Sequence, residues 1–144
     1  MVEPCHIHFV AAKHVMRYLK GTLDYGLQYA SDCEFKLFGY VDSNWGGSVV
    51  DRKSTSRCCF TLGSAMISWL SRKQSCVALS TAKVEYIAAC SVSCEAVWFR
   101  KLLSGLIDVE LNATNIFCDN QSCIKLSENP VHHDKTKHIE NKFH

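Results

Sequence analysis

Two stretches that read as β-strands each close on an aspartate, and a long helical segment lies between them. The first, Phe35-Lys36-Leu37-Phe38-Gly39-Tyr40-Val41-Asp42, is rich in β-formers. The second, Asn115 to Cys118, is short and apolar and is followed by Asp119. Between them, Ser80 or Thr81 opens a helix that the apolar periodicity carries to about Leu106. Carboxyl ends of strands in α/β folds are where ligands tend to bind, which makes these two acids stand out by position.

The remaining elements fill in a mixed α/β order. Residues His8 to Lys20 carry Phe9, Ala12, Val15, Met16 and Leu19 at helical spacing, with Gly21 where a C-cap belongs. Gly26-Leu27-Gln28-Tyr29 reads as a short strand. Cys58 to Leu62 and Met66 to Leu70 read as two more, joined by a hairpin at Gly63-Ser64-Ala65. The first three core strands are therefore expected to be antiparallel. Ser43 to Ser56 is a polar loop, and Asn120 to Ser127 a short helix ended by Asn129-Pro130. Helices packed on a sheet are the expected architecture.

Bulk properties suit one domain. The chain has 144 residues, 47% hydrophobic and 21% charged, which is a globular balance rather than a disordered one. The net charge of +2 is too small to announce a nucleic-acid binder, so phosphate contacts would have to come from local clusters: Arg52-Lys53, Arg72-Lys73 and Lys135 to His138. No apolar run is long enough to span a bilayer, and Met1 to His6 lacks the basic start and apolar core of a secretory signal. The expected location is intracellular, with no membrane partner.

The nine cysteines contain no C-x-x-C pair. Cys58 and Cys59 are neighbours on a strand and point to opposite faces. Cys90 and Cys94 lie four apart on the long helix, without a second pair at zinc-finger spacing. Buried reduced thiols of a cytosolic or nuclear protein are the expectation.

Three acids stand out by position: Asp42, Asp119 and, in the first turns of the long helix, Glu85. At about 100° per residue, Val84, Ala88, Ser91, Glu95, Trp98 and Leu102 share one stripe flanked by Ile87 and Phe99, with Glu85 at its edge beside Ala89, Val92 and Leu103. Lys83 is turned about 200° from Glu85 and is expected to face solvent. If the three carboxylates converge, they repel one another, and divalent cations relieve that repulsion. Taken singly, such acids also serve as turn residues and helix caps.

The motifs around these acids resemble one family across nearly the whole chain. They are Arg17 to Thr22, Gly39-Tyr40-Val41-Asp42-Ser43-Asn44-Trp45-Gly46-Gly47, Asp51 to Ser56, Ile67 to Gln74 and Val77 to Thr81. Glu85-Tyr86-Ile87-Ala88-Ala89, Cys118-Asp119-Asn120-Gln121-Ser122, Asn129 to His133 and Thr136 to Ile139 complete them. In this order the set resembles the ribonuclease H region of copia-type long-terminal-repeat retrotransposons.

The resemblance implies a ribonuclease H-like fold with a five-stranded mixed sheet flanked by helices. It implies two Mg²⁺ ions (Mn²⁺ as the alternative) held by Asp42, Glu85, Asp119 and a fourth acid, for which Glu140 is the candidate. The implied reaction is hydrolysis of the RNA strand of an RNA–DNA hybrid, by in-line attack of an activated water. Ser43, Asn44, Gly46, Asn120, Gln121 and His138 are the expected substrate contacts. Residues 1–30 resemble a connection from a reverse-transcriptase domain of the same polyprotein, and 31–144 the nuclease unit. A cytoplasmic virus-like particle or the nucleus is the implied site of action.

Two positions depart from the family pattern: Lys83 stands where an acid is usual, and Arg57 where a small residue is. Relatives continue a helix past the position of His144, which implies a piece of a polyprotein or a decayed copy. A silent remnant, a nuclease of the same fold acting on DNA, and a zinc or interaction module are the rival expectations.

Overall fold

The computed structural model describes residues 3–108 and 110–128. Their order is α1 (His6–Gly21), β1 (Leu37–Asn44), β2 (Thr55–Leu62), β3 (Ala65–Lys73), α2 (Thr81–Ile107), β4 (Asn115–Cys118) and α3 (Gln121–Glu128). The four strands form one mixed sheet in the order β3-β2-β1-β4. β1, β2 and β3 are successively antiparallel, and β4 joins β1 in parallel, with Val41 opposite Cys118. β1 and β4 are therefore neighbours with their carboxyl ends side by side, although β1 runs on past Asp42 to Asn44 because Ser43 and Asn44 still pair with β2; Asp42 and Asp119 each follow directly on the Val41–Cys118 pair.

Alternation along β1 sorts its side chains between the two faces of the sheet. Leu37, Gly39 and Val41 are buried, while Tyr40, Asp42 and Asn44 are exposed. α2 covers the first set. Its small residues Ala88 and Ala96, with Val92, pack with Leu37, Val41 and Phe60 into the main core. Gly39 permits the close approach, because a Cβ there would stand 3.1 Å from the Phe60 ring and 3.5 Å from Val92. Burial of each large member contributes about 1.5–3 kcal/mol. The opposite face is less covered: Tyr40 stacks on Phe117 at 5.2 Å, and Trp69 is exposed.

The buried face of α2 differs from the expected stripe. Glu85, Ile87, Val92 and Ala96 are buried along with Val84 and Ala88, whereas Trp98 and Leu102 are exposed. The narrow space above β1 accepts alanine and valine, and the indole of Trp98 lies edge-on against Phe99 instead. This rotation moves Glu85 from the margin into the buried face. Lys83 is half-buried rather than solvent-facing, with its N–H donating to the Ser80 hydroxyl that caps the helix.

Three other expectations change. Gly26 to Tyr29 is not a strand: Tyr29 instead donates its hydroxyl to Met66 O at 2.7 Å, and Ala30 N–H donates to Ser64 Oγ. Side-chain anchors thus replace a backbone ladder. Gly21 belongs to α1, and Thr22 is the cap, its hydroxyl donating to Tyr18 O. Among the described residues the sheet has four strands where the family resemblance implies five. The hairpin holds, with Gly63 at φ +58°.

The apolar stripe of α1 is uncovered among the described residues. Phe9, Val15, Met16 and Leu19 are all more than half exposed, and no residue of α1 is buried. No helix of the described residues is long and apolar enough to cross a membrane.

Candidate metal centre

Glu85 occupies the junction between α2 and the end of β1. Its Oε1 accepts the Ser43 N–H at 3.1 Å. Its Oε2 is buried and has no hydrogen-bond partner among the described residues. The residue as a whole is 6% exposed, so the carboxylate has lost most of its hydration and keeps hydrogen bonds from Ser43 alone, through its N–H and its hydroxyl. Burial pushes its pKa up. The Ser43 hydrogen bond opposes this, and the negative charges of Asp42 and Asp119 add to it.

Asp119 comes directly after β4 and is exposed. One of its oxygens, one Glu85 oxygen and Cys118 Sγ all lie within 4.8 Å of one another. The start of α3 holds Asp119 in this place. Asn120 caps that helix, its Oδ1 accepting Cys123 N–H at 2.9 Å and its carbonyl accepting Ile124 N–H. Asn120, an expected substrate contact, thus has its side-chain oxygen engaged in a helix cap, while Gln121 is exposed.

Asp42 lies near this trio and outside it. It acts electrostatically on Glu85, yet its Oδ2 pairs with Arg57 Nη1 at 3.3 Å. Asp42 and Arg57 are direct cross-strand partners, so the pairing results from the β1–β2 register. The structure therefore brings Glu85 and Asp119 together and turns the Asp42 carboxylate toward a cation. Glu140 and His138 lie outside the described residues.

The stretch after Asp42, the last two residues of β1 and the loop that follows, is tied to its surroundings by three bonds. Ser43 N–H is given to Glu85, and Gly46 N–H donates to Ser54 Oγ at 3.0 Å. Trp45 Nε1–H donates to Ala78 O at 3.1 Å, which ties the loop to the segment that leads into α2. Of the expected contacts here, the side chain of Asn44 is exposed, while the half-buried Ser43 hydroxyl is turned to the Glu85 carboxylate.

Cys118 escaped the sequence reading. It packs on the core from β4, while its metal-capable neighbour Glu85 comes from α2. No cysteine spacing announces such a site. Its place directly before Asp119 was the available signal. All nine cysteines are free thiols, but only Cys123 is buried and Cys5, Cys33, Cys76 and Cys94 are exposed, so the expectation of buried thiols does not hold for most of them. Burial first, then Cys118 and Glu85, push the Cys123 thiol up to about 12.

Comparison with known proteins supplies the ancestry. Over 142 residues, 99% of the chain, it is 39% identical to the retrovirus-related Pol polyprotein from transposon TNT 1-94 of Nicotiana tabacum. Over its full length it is 36% identical to the retrovirus-related Pol polyprotein from transposon RE2 of Arabidopsis thaliana. The chain spans 10% of the length of each of these polyproteins. It is also 45% identical over 96 residues to secreted RxLR effector protein 161 of Plasmopara viticola, covering 68% of that protein. No family model matches the chain, and no solved structure does. Along nearly its whole length the chain is thus similar to a tenth of retrovirus-related Pol polyproteins from plant transposons, which gives it a retrotransposon polyprotein context.

Proposed function

We propose that this chain is a ribonuclease H unit with the ribonuclease H-like fold, which hydrolyses the RNA strand of RNA–DNA hybrids during reverse transcription of a copia-type element. The observation that carries the reading is the Glu85 carboxylate. It is buried at the end of β1 with one oxygen unpartnered among the described residues, and Asp119 stands beside it. A buried carboxylate without a counter-charge is unfavourable, and a divalent cation relieves it.

The donor set fits Mg²⁺ or Mn²⁺, which take hard oxygen ligands from one or two carboxylates and from substrate phosphate. Asp42, Glu85 and Asp119 would hold the ions, with Glu140 as the proposed fourth ligand. When bound, two such ions activate the attacking water and stabilise the leaving 3′ oxygen of the phosphodiester. The protein's own part is placement. Ser43 N–H orients Glu85, the Asn120 cap holds Asp119 at the strand end, and Trp45 fixes the loop after Asp42. RNA is distinguished from DNA through its 2′-hydroxyls, for which Ser43, Asn44 and Gln121 offer polar groups. Gly46, Asn120 and His138 complete the proposed contact set. The uncovered stripe of α1 suits residues 1–30 as a connection to a reverse-transcriptase domain of the same polyprotein. An intracellular particle or the nucleus is the proposed place of action.

A second reading, a folded remnant that no longer cuts, is favoured by one observation: the Arg57 cation on Asp42. The two are separated by incubating the chain with a labelled RNA–DNA hybrid, duplex DNA and single-stranded RNA, with Mg²⁺ or Mn²⁺. The nuclease reading expects cleavage of the hybrid RNA alone, lost in Asp42→Asn and Glu85→Gln. Cleavage that persists in Asp42→Asn overturns the metal assignment. No cleavage with either ion, in a chain that remains folded, favours the remnant.

A further inference from the structure

Cys118 is a ligand-capable group at this centre that the proposed hydrolysis does not use. Its Sγ shares a 4.8 Å cluster with one oxygen each of Glu85 and Asp119. A second observation is independent of that proximity: Glu85 is 6% exposed, and its Oε2 is buried without a partner among the described residues. Such an oxygen calls for a cation or a donor, and no described protein group supplies one.

The chemistry of sulfur decides which cation fits best. Mg²⁺ prefers oxygen, whereas thiolate selects softer ions. Zn²⁺ takes Cys sulfur at about 2.3 Å and carboxylate oxygen at about 2.0–2.2 Å in tetrahedral sites, so its ligand atoms stand about 3.6 Å apart. The ligand atoms, all within 4.8 Å of one another, would therefore close by at most about an ångström on binding.

We propose that Cys118, Glu85 and Asp119 form a thiolate-containing Zn²⁺ site, with water in the fourth position. On binding, the Cys118 thiol releases its proton to solvent and its sulfur donates an electron pair to the ion; nothing is oxidised or reduced. Occupancy by Zn²⁺ excludes a hard cation from Glu85 and Asp119. Inhibition of the hydrolysis is thus a consequence that rests on the nuclease reading, whereas binding itself does not.

The test uses the 144-residue chain, reduced and stripped of metal, titrated with Co²⁺ as a coloured stand-in and then with Zn²⁺. The expected result is a sulfur-to-Co²⁺ charge-transfer band that saturates at one ion per chain and is displaced by Zn²⁺. The band is lost in Cys118→Ser and kept in Cys76→Ser, an exposed cysteine outside the cluster. Asp119→Asn, at an exposed position, keeps the test informative should Cys118→Ser fail to fold. It should weaken binding roughly tenfold or more. Absence of the band, its survival in Cys118→Ser, or unchanged affinity in Asp119→Asn overturns the site. Hybrid cleavage without the band overturns the zinc site and leaves the nuclease reading standing. The band, together with no hybrid cleavage by the metal-stripped chain given Mg²⁺ or Mn²⁺ alone, supports the site and counts against the nuclease.

Discussion

The guanidinium of Arg57 stands 3.3 Å from the carboxylate of Asp42, directly across the β1–β2 ladder. Both side chains are more than half exposed, so the pair contributes at most about 1 kcal/mol to stability. Its weight is local. A protein cation holds an oxygen that the proposed centre needs for metal, and any ion that uses Asp42 must first displace it.

Arg57→Ser should therefore ease metal loading. The Mg²⁺ concentration for half-maximal hybrid cleavage should fall by up to about fivefold, equivalent to the roughly 1 kcal/mol ceiling for an exposed pair. The melting temperature should barely move. A Mg²⁺ titration of both forms decides it, and an unchanged or higher requirement in the variant would show that Arg57 does not compete with metal.

Gly39→Ala tests the packing that brings α2 down onto β1. The added methyl would meet the fully buried Phe60 ring at 3.1 Å and Ile116 at 3.4 Å. Overpacking of this kind costs about 1–3 kcal/mol, against the roughly 0.5–1 kcal/mol that alanine normally gains over glycine inside an element. The urea midpoint should drop. A midpoint equal to the parent's would mean that the helix stands farther off than these distances indicate.

Ser54 is fully buried, and its hydroxyl accepts the Gly46 N–H while its carbonyl accepts the Gln74 N–H at 2.8 Å. Ser54→Ala leaves the Gly46 amide without that acceptor, at a cost of about 1–3 kcal/mol. Amide exchange at Gly46 should quicken along with the loss of stability. Exchange at the parent rate would show that the loop after Asp42 is held by other contacts.

Much of this fold is legible in the sequence, for identifiable reasons. Ser80 as the cap of α2, the Gly63 hairpin, and the β4–Asp119–α3 succession are local signals, and local signals survive folding. The depth of Glu85 is not legible. Helical periodicity alone puts it at the edge of a stripe through Trp98, because periodicity does not register that Gly39 and the alanines of α2 leave room only for small side chains. The segment from Gly26 to Tyr29 misleads for the same reason. Its composition is strand-like, yet its anchors are the side chains of Tyr29 and Ser64, which no alternation encodes. Cys118 stays hidden because its partners meet it only in three dimensions.

Glu85 also sets a pH dependence. Burial, and behind it the charges of Asp42 and Asp119, raise its pKa in the folded chain against the opposing Ser43 hydrogen bond. The folded state thus holds this proton more tightly than the unfolded state. The resulting stability is fully present below the unfolded carboxylate pKa and is lost as pH rises through the higher folded value. In chelator the melting temperature should fall as pH is raised across that window, and Glu85→Gln should flatten the fall. At neutral pH the variant should be more stable by about 1 kcal/mol, since it no longer buries an unpartnered anion. Metal should reverse the order. A divalent ion at about a hundred times its Kd adds about 2.7 kcal/mol by mass action, and this gain should appear in the parent and shrink in Glu85→Gln. Calorimetric melts at several pH values, with and without Mg²⁺, carry both arms; identical profiles for the two proteins would remove Glu85 from the centre.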